Sequence, residues 1–381
     1  MSVTRIRIPA LCRAILLLLT AVSAHGEPSL QDFYAAYRQA VEAPGIDAAI
    51  PAWEKALSLV SQDTPPQFTT AVRQNLAFLL HQKGTVHFQR IGIEPGAFER
   101  SVDLFNRAAL ADPGSEYVLE WIFHAAVREG NPGAGIEVLE ALAAAYEQAR
   151  QYHAGGKALE LCGDLAGAEE AWSRALRLYG RADAILEMET GASGTSGAYR
   201  ELADRRALVA AKTANALRLS GNLAGAVVLA DTLVTGDTMS DDYLLWHDVF
   251  MVQRWAALEA FGNRDWAAAL DHYRKAGQAL GHNARLAGEH TPEEGWNYFE
   301  RIIRKRMEMG TITPVAVHRV LSLFYLHTRT DKAPPQDISP IMINAARIHE
   351  NALARIVEAF SGGLFTLSFE ERLVEIGRAH V

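Results

Sequence analysis

The stretch CGDLAGAEEAW (residues 162–172) is nearly restated as SGNLAGAVVLA (220–230), 58 residues further on. A chain that repeats one local instruction builds one local unit more than once, and this restricts the fold more than any total does. With Gly163 as origin, Gly156 and Leu159 lie seven and four residues back, and Ala168, Trp172 and Ala175 lie five, nine and twelve forward. The same steps from Gly221 reach Ala214, Leu217, Ala226, Ala230 and Leu233; from Gly130 they reach Phe123, Ala126, Gly135, Leu139 and Leu142. The spacing predicts a helix ending at each glycine, a short turn, and a second helix that opens with small residues on its inner face. Glycine suits the left-handed end of the first helix. Small residues five steps on let the helices approach, and bulkier ones at four-residue spacing fill the groove between them.

Gly262 fits once a two-residue insertion is allowed, with Trp255 and Leu258 before it and Ala269, Tyr273 and Ala276 after GNRDW. Upstream, EPGAFERSVDLFNRAALADP (94–113) carries Gly96, Ser101, Phe105, Ala108 and Pro113. Its first helix is placed at 71–84, separated from it by the insertion TVHFQRIGIEP. Gly130 to Gly163 is 33 residues, close to the roughly 34-residue period of tetratricopeptide repeats. The quoted residues resemble that family: a small residue, a turn with Gly-Asp or Gly-Asn, then alanine, aromatic, alanine. The resemblance covers about residues 66–280. It implies an all-α fold, an α-solenoid of antiparallel helix pairs wound into a right-handed superhelix, with a concave surface that binds extended peptides. An unrelated antiparallel helical array would leave that architecture unchanged.

The flanks also read as helices. Residues 25–65 hold an N-terminal pair, 29–43 opened by a serine cap and 47–62 with Pro51 in its first turns. METGASGTSGAY (188–199) is a flexible break. A C-terminal helical region spans 281–361, with helices expected at 292–309, 314–328 and 339–360. TRTDKAPPQD (328–337) is a turn, because Pro334–Pro335 cannot continue a helix. No strand alternation is expected anywhere.

Residues 1–24 stand apart. Three arginines without an acid, the nine-residue apolar run AILLLLTAV and a small-residue site form the layout of a secretory signal, with cleavage at Ala24–His25. The run is about half the ~20 residues needed to span a bilayer. The mature chain is therefore expected to be exported, periplasmic or extracellular, with no membrane span. Losing Arg5, Arg7 and Arg13 with the leader takes 37 bases to 34 against 45 acids, a formal charge of −11. Such a surface repels phosphate backbones, so nucleic acid is not an expected partner. Cys162 is the one mature cysteine, in the apolar context LELCG, and reads as a buried inert thiol.

The search for chemistry returns no catalytic, cofactor-binding or metal residue. His349-Glu350 lacks the second histidine of a zincin helix, since Leu353 stands there; His81, His87, His318 and His327 have no ligand spacing. GASGTSG (191–197) is a linker and no nucleophile elbow. The basic run RIIRKRMEMG (301–310) reads as a solvated face near a helix end. On the repeat array, positions 3, 6, 10 and 13 before the turn glycine should line the concave face. They are Glu160, Lys157, His153 and Arg150 for Gly163, and include Arg218 and Asn215 for Gly221. These six are the candidate peptide-binding residues, and Arg150, His153 and Lys157 form a basic strip suited to an acidic or C-terminal carboxylate peptide.

The last six residues, IGRAHV, are what one frame of a common sequencing-library adapter encodes. Residues 376–381 are read as such a scar and 362–375 as the start of a truncated following segment. Residues 344–375 resemble the long helix and Ser/Glu/Arg stretch that precede a caspase-like CHAT domain in tetratricopeptide proteins. The expected function is an exported scaffold that binds a protein or peptide in its groove. The rivals are the sensor arm of a CHAT-type peptidase whose catalytic domain is missing, and a metal-dependent enzyme.

Overall fold

The computed structural model describes residues 29–374 apart from 169–171, 191–195, 237–239, 291–292, 326, 331–332 and 338–339. The signal segment, the adapter-like tail and the middle of the 188–199 break lie outside the described residues. The chain forms two compact units, one through Asn131 and one from Pro132.

The first unit contains α1 (Leu30–Val41), α2 (Ile46–Ser58), α3 (Pro66–Phe88), α4 (Ala97–Ala111) and α5 (Tyr117–Glu129), each packed on its neighbour in sequence. Ser29 caps α1, its Oγ accepting from the Asp32 amide. Phe33, Tyr37, Trp53 and Phe68 meet edge to face at the α1–α3 core. The helix expected over 71–84 runs on through Gly84 to Phe88. Gly84 is there for contact: a Cβ on it would lie 2.6 Å from the Phe105 ring of α4. Its carbonyl also accepts from Ser101 Oγ at 3.2 Å.

The second unit contains α6 (Pro132–Gln148), α7 (Tyr152–Ala168), α8 (Trp172–Thr190), α9 (Ser196–Leu219), α10 (Leu223–Thr235), α11 (Tyr243–Gly262), α12 (Trp266–Gly281), α13 (Ala284–His290) and α14 (Glu293–Met309). Sequential helices from α6 to α13 pack on one another, so each unit is an α-solenoid in the sense the spacing predicts. The inner-face positions are buried: Ala226, Ala230, Leu233, Leu139, Leu142, Ala269, Tyr273 and Ala276.

Of the five glycine origins, Gly96 is left-handed at φ 73° and opens α4, and two close a helix in the left-handed conformation. Gly130 and Gly221 are left-handed, at φ 68° and 89°. Each sits in a Schellman turn: the Asn131 amide donates to the Ala126 carbonyl, and the Asn222 amide to that of Leu217. Gly262 and Gly163 are different. α11 does end at Gly262, but the left-handed residue is Arg264 at φ 67°, with the Asp265 amide donating to the Ala260 carbonyl. Counted from Arg264, Ala269, Tyr273 and Ala276 fall at the same five, nine and twelve steps, so no insertion is needed. Gly163 lies inside α7, which runs five residues further to Ala168. Its missing Cβ admits Tyr179 of α8, whose ring would otherwise sit 2.3 Å away.

The helix expected over 314–328 is a correction. Residues 316–325 form β1 (Ala316–Tyr325), followed by β2 (His327–Thr330) and β3 (Ala333–Asp337), which pair antiparallel and take up 328–330 and 333–337 of the segment expected as a turn. Then come α15 (Pro340–Phe360) and β4 (Phe365–Val374), which pairs in parallel with β1, Ala316 opposite Phe365 through Tyr325 opposite Val374. Parallel pairing requires a crossover, and α15 supplies it. Val315, Val317 and Val320 favour the extended backbone once that partner is available. A buried ion cluster ties this part to the stack. Glu358 of α15 faces Arg306 of α14 at 3.3 Å, Arg264 at 3.6 Å and Arg355, and accepts from Thr366 Oγ1 of β4 at 2.7 Å. The basic run 301–310 is thus only partly a solvated face, because Arg306 is buried over the Trp266 ring.

Candidate functional site

Among the candidate residues, Arg150 stands outside the helices. It is the left-handed residue (φ 58°) of the α6–α7 turn, exposed, with the Gln151 amide donating to the Tyr146 carbonyl. His153 opens α7 with Nε2 3.9 Å from Glu201 Oε1 on α9. Glu160, expected on the open strip, is buried at 2% exposure. An uncompensated carboxylate cannot remain there, and three cations surround it: Lys212 Nζ at 2.9 Å, Arg205 Nη1 at 3.1 Å and Lys157 Nζ at 3.8 Å. Burial alone would push the Glu160 carboxyl up, but Lys212, Lys157 and Arg205 together hold it below its ordinary value. The positive strip is therefore neutralised at its centre.

Lys212 of α9 links this group to the next. Its Nζ also donates to Asp164 Oδ2 at 2.7 Å, and Asp164 Oδ1 accepts from the Tyr179 hydroxyl at 2.7 Å. Burial acts to lower the Lys212 ammonium, yet Glu160 and Asp164 outweigh it and keep it charged. One turn along α9, Asn215 Nδ2 donates to Asp248 Oδ1 of α11 at 2.7 Å. The Asn215 oxygen accepts from Arg218 Nε and Nη2 at 3.0 and 2.7 Å, and the Arg218 guanidinium lies 4.9 Å over the Trp255 ring. Burial pushes Arg218 down to about 10 against the pull of Asp248.

These side chains border a cavity of about 410 Å³ between α7, α8, α9 and α11. It is lined by Asp164, Gly167, Trp172, Tyr179, Lys212, Asn215, Ala216, Leu244 and Asp248. Gly167 sets the aromatic wall, since a Cβ there would lie 2.9 Å from the Trp172 ring. Leu244 stands half exposed at the rim. Of the six predicted residues, Asn215 lines the cavity, Glu160, Lys157 and Arg218 flank its ion pairs, and Arg150 and His153 lie elsewhere. Spacing missed Lys212, Asp164 and Asp248. The available signal was the ionisable residue set among apolar neighbours in AAKTANA (210–216) and YLLWHDVF (243–250).

Cys162 is buried, with Sγ 3.7 Å from the Ile136 carbonyl, and burial pushes its thiol well up, so it is unreactive. His81 sits among Phe105, Tyr117 and Trp121. Among the described residues no group of three His, Cys, Asp or Glu is placed to hold a metal ion, and no helix is long and apolar enough to cross a membrane.

No protein-family model matches the chain, and no curated protein matches it. Among solved structures, it is similar to the apo form of RapI, with 13% identity over 73% of this chain and 99% of that one, at a TM-score of 0.25. A computationally designed self-assembling cyclic homo-oligomer is 17% identical over 78% and 95%, at a TM-score of 0.12. Scores this low carry no argument, and the helical stack stands on its own packing.

Proposed function

We propose that the chain is an exported helical-repeat scaffold that holds a protein or peptide ligand. The observation that carries this reading is the cavity between α7, α8, α9 and α11. Its volume of about 410 Å³ falls in the range of ligand sites, and such sites combine apolar walls with a few fixed polar groups. Trp172, Tyr179 and Leu244 supply the first, and Asp164, Lys212, Asn215 and Asp248 the second. The test is a peptide array probed with the full chain and with Leu244→Trp, which fills the mouth from a solvent-exposed position. Saturable retention that Leu244→Trp abolishes supports the reading, and an unchanged bound set refutes it. Export rests on residues 1–24. A fusion of that segment to a reporter active only outside the cytoplasm checks it, and an inactive reporter removes export from the proposal.

A second reading is favoured by the parallel strand–helix–strand unit of β1, α15 and β4. It is the nucleus of an α/β layer and does not belong to a helical stack. On this reading the chain is the truncated sensor arm of a CHAT-type peptidase. The gene downstream of codon 374 would then encode a strand-rich domain with a catalytic His and Cys, and its absence there sinks the reading.

A further inference from the structure

The charge on the cavity wall is lopsided. Two carboxylates, Asp164 and Asp248, line it against one ammonium, Lys212. Lys212 is already committed, at 2.9 Å to Glu160 and 2.7 Å to Asp164. Asp164 is matched by Lys212 and the Tyr179 hydroxyl, one on each oxygen. Among the described residues Asp248 has no permanent cation in contact, and His247 Nδ1 at 3.5 Å is charged only when protonated. Its side chain is only 14% exposed, and its contacts are the Asn215 amide at 2.7 Å and His247 Nδ1 at 3.5 Å, both to Oδ1. Among the described residues nothing donates to Oδ2. Arg218 places its Nε and Nη2 donors on the Asn215 oxygen, while the Asn215 amide nitrogen donates to Asp248. A carboxylate withdrawn from water without a cation costs free energy unless something else supplies the charge. Here the open space in front of it is walled by an indole.

We propose that this cavity binds the cationic side chain of a protein partner, an arginine or lysine, with Asp248 Oδ2 as counter-ion and the Trp172 ring as the face against which the cation lies. Aromatic faces attract ammonium and guanidinium groups, most strongly where water is excluded. Guanidinium pairs with a carboxylate through parallel N–H donors, so arginine is the better fit. Leu244 at the rim and Ala216 on the wall cover the aliphatic stem, which long cationic side chains bury readily. This rests on the scaffold reading and narrows it, replacing the acidic ligand that the strip Arg150–Lys157 suggested with a basic one.

The experiment uses the full chain and the pentapeptide acetyl-Ala-Ala-Arg-Ala-Ala-amide, with citrulline in place of arginine as the uncharged isostere and spermidine as a free amine. Calorimetric titration should show saturable binding of the arginine peptide and at least about tenfold weaker binding of the citrulline peptide. Asp248→Asn, which keeps the shape and removes the charge, should weaken the arginine peptide by a similar factor. Leu244→Trp, on an exposed position where folding is not at risk, should abolish it. Equal binding of the arginine and citrulline peptides, or an unchanged affinity in Asp248→Asn, overturns the proposal. Binding of spermidine without the peptide overturns the protein source. A peptide array that retains ligands with no enrichment in Arg or Lys sinks this inference and leaves the scaffold reading standing, whereas an array that retains nothing sinks both.

Discussion

Gly163→Ala is the substitution that separates a helix end from a helix contact. Inside a helix, glycine to alanine normally stabilises by about 1 kcal/mol. Here the new Cβ would meet Tyr179 carbons at 2.3, 2.6 and 2.8 Å. Tyr179 is 5% exposed and its hydroxyl is fixed on Asp164. Overpacking of this kind costs about 1–3 kcal/mol. Displacing the ring also breaks the 2.7 Å bond from its hydroxyl to Asp164, worth about 1.5–3 kcal/mol with a charged acceptor. Against the propensity gain, the net is a destabilisation of about 1.5–5 kcal/mol. Gly180, in the next helix, is the control: nothing lies within 4 Å of its would-be Cβ, so the same change should stabilise by about 1 kcal/mol. Scanning calorimetry should place the transition of the unit from Pro132 lower by roughly 10 °C for Gly163→Ala and higher by a few degrees for Gly180→Ala. In a Tyr179→Leu background Gly163→Ala should lose most of its cost. If the two sites behave alike, or if no coupling to Tyr179 is found, the contact is not what glycine serves at 163.

The ion pairs give further expectations. Lys212→Met strips a buried partner from both Glu160 and Asp164 and should cost about 3–5 kcal/mol in urea unfolding, whereas Lys305→Met, on an exposed face, should change little. Glu160 is held below its ordinary 4.5, so its contribution is present above that value and lost as the pH falls through the folded one. Glu160→Gln should flatten the stability curve below pH 4.5, which unfolding midpoints between pH 5 and 3 measure. Asp248 has the opposite sign: burial raises its carboxyl from 3.8, against His247 and Lys212, so its favourable contribution exists below 3.8 and is lost as the pH rises through the folded value. Asp248→Asn should therefore be more stable than the parent at pH 7, by a margin that closes towards pH 4.

The helical stack was legible because its rule is local: small residues five steps past a left-handed turn recur whether the turn residue is Gly221 or Arg264. Arg264 escaped notice because a non-glycine residue in that conformation costs only about 1–2 kcal/mol, which Asp265 helps offset by capping α12 through the Ala268 amide. The strands β1 and β4 were not legible. Val317 and Leu321 face outward from β1, and what holds that segment extended is β4, whose register partners lie 49 residues away. The cavity was half legible. Asn215 and Glu160 lie on the helix faces that periodicity marks, but Asp248 belongs to α11 and meets Asn215 only through the fold.

The two copies of the repeated peptide show where a local rule yields. In SGNLAGA, Gly221 turns left-handed and Asn222 caps α10, its Oδ1 accepting from the Gly225 amide at 3.0 Å. In CGDLAGA the equivalent residue is Asp164, and aspartate caps as well as asparagine does. A cap contributes about 1 kcal/mol. The alternatives open to Asp164 are a buried ammonium and a phenol, each at 2.7 Å, and hydrogen bonds to a charged group contribute about 1.5–3 kcal/mol apiece. The tertiary partners win, the cap is not made, and α7 continues through LAGA to Ala168. That extension brings Gly167 under Trp172 and so builds the aromatic wall of the cavity. One aspartate thus ends the resemblance between the copies and shapes the cavity, and departures from a local pattern are where function is expected.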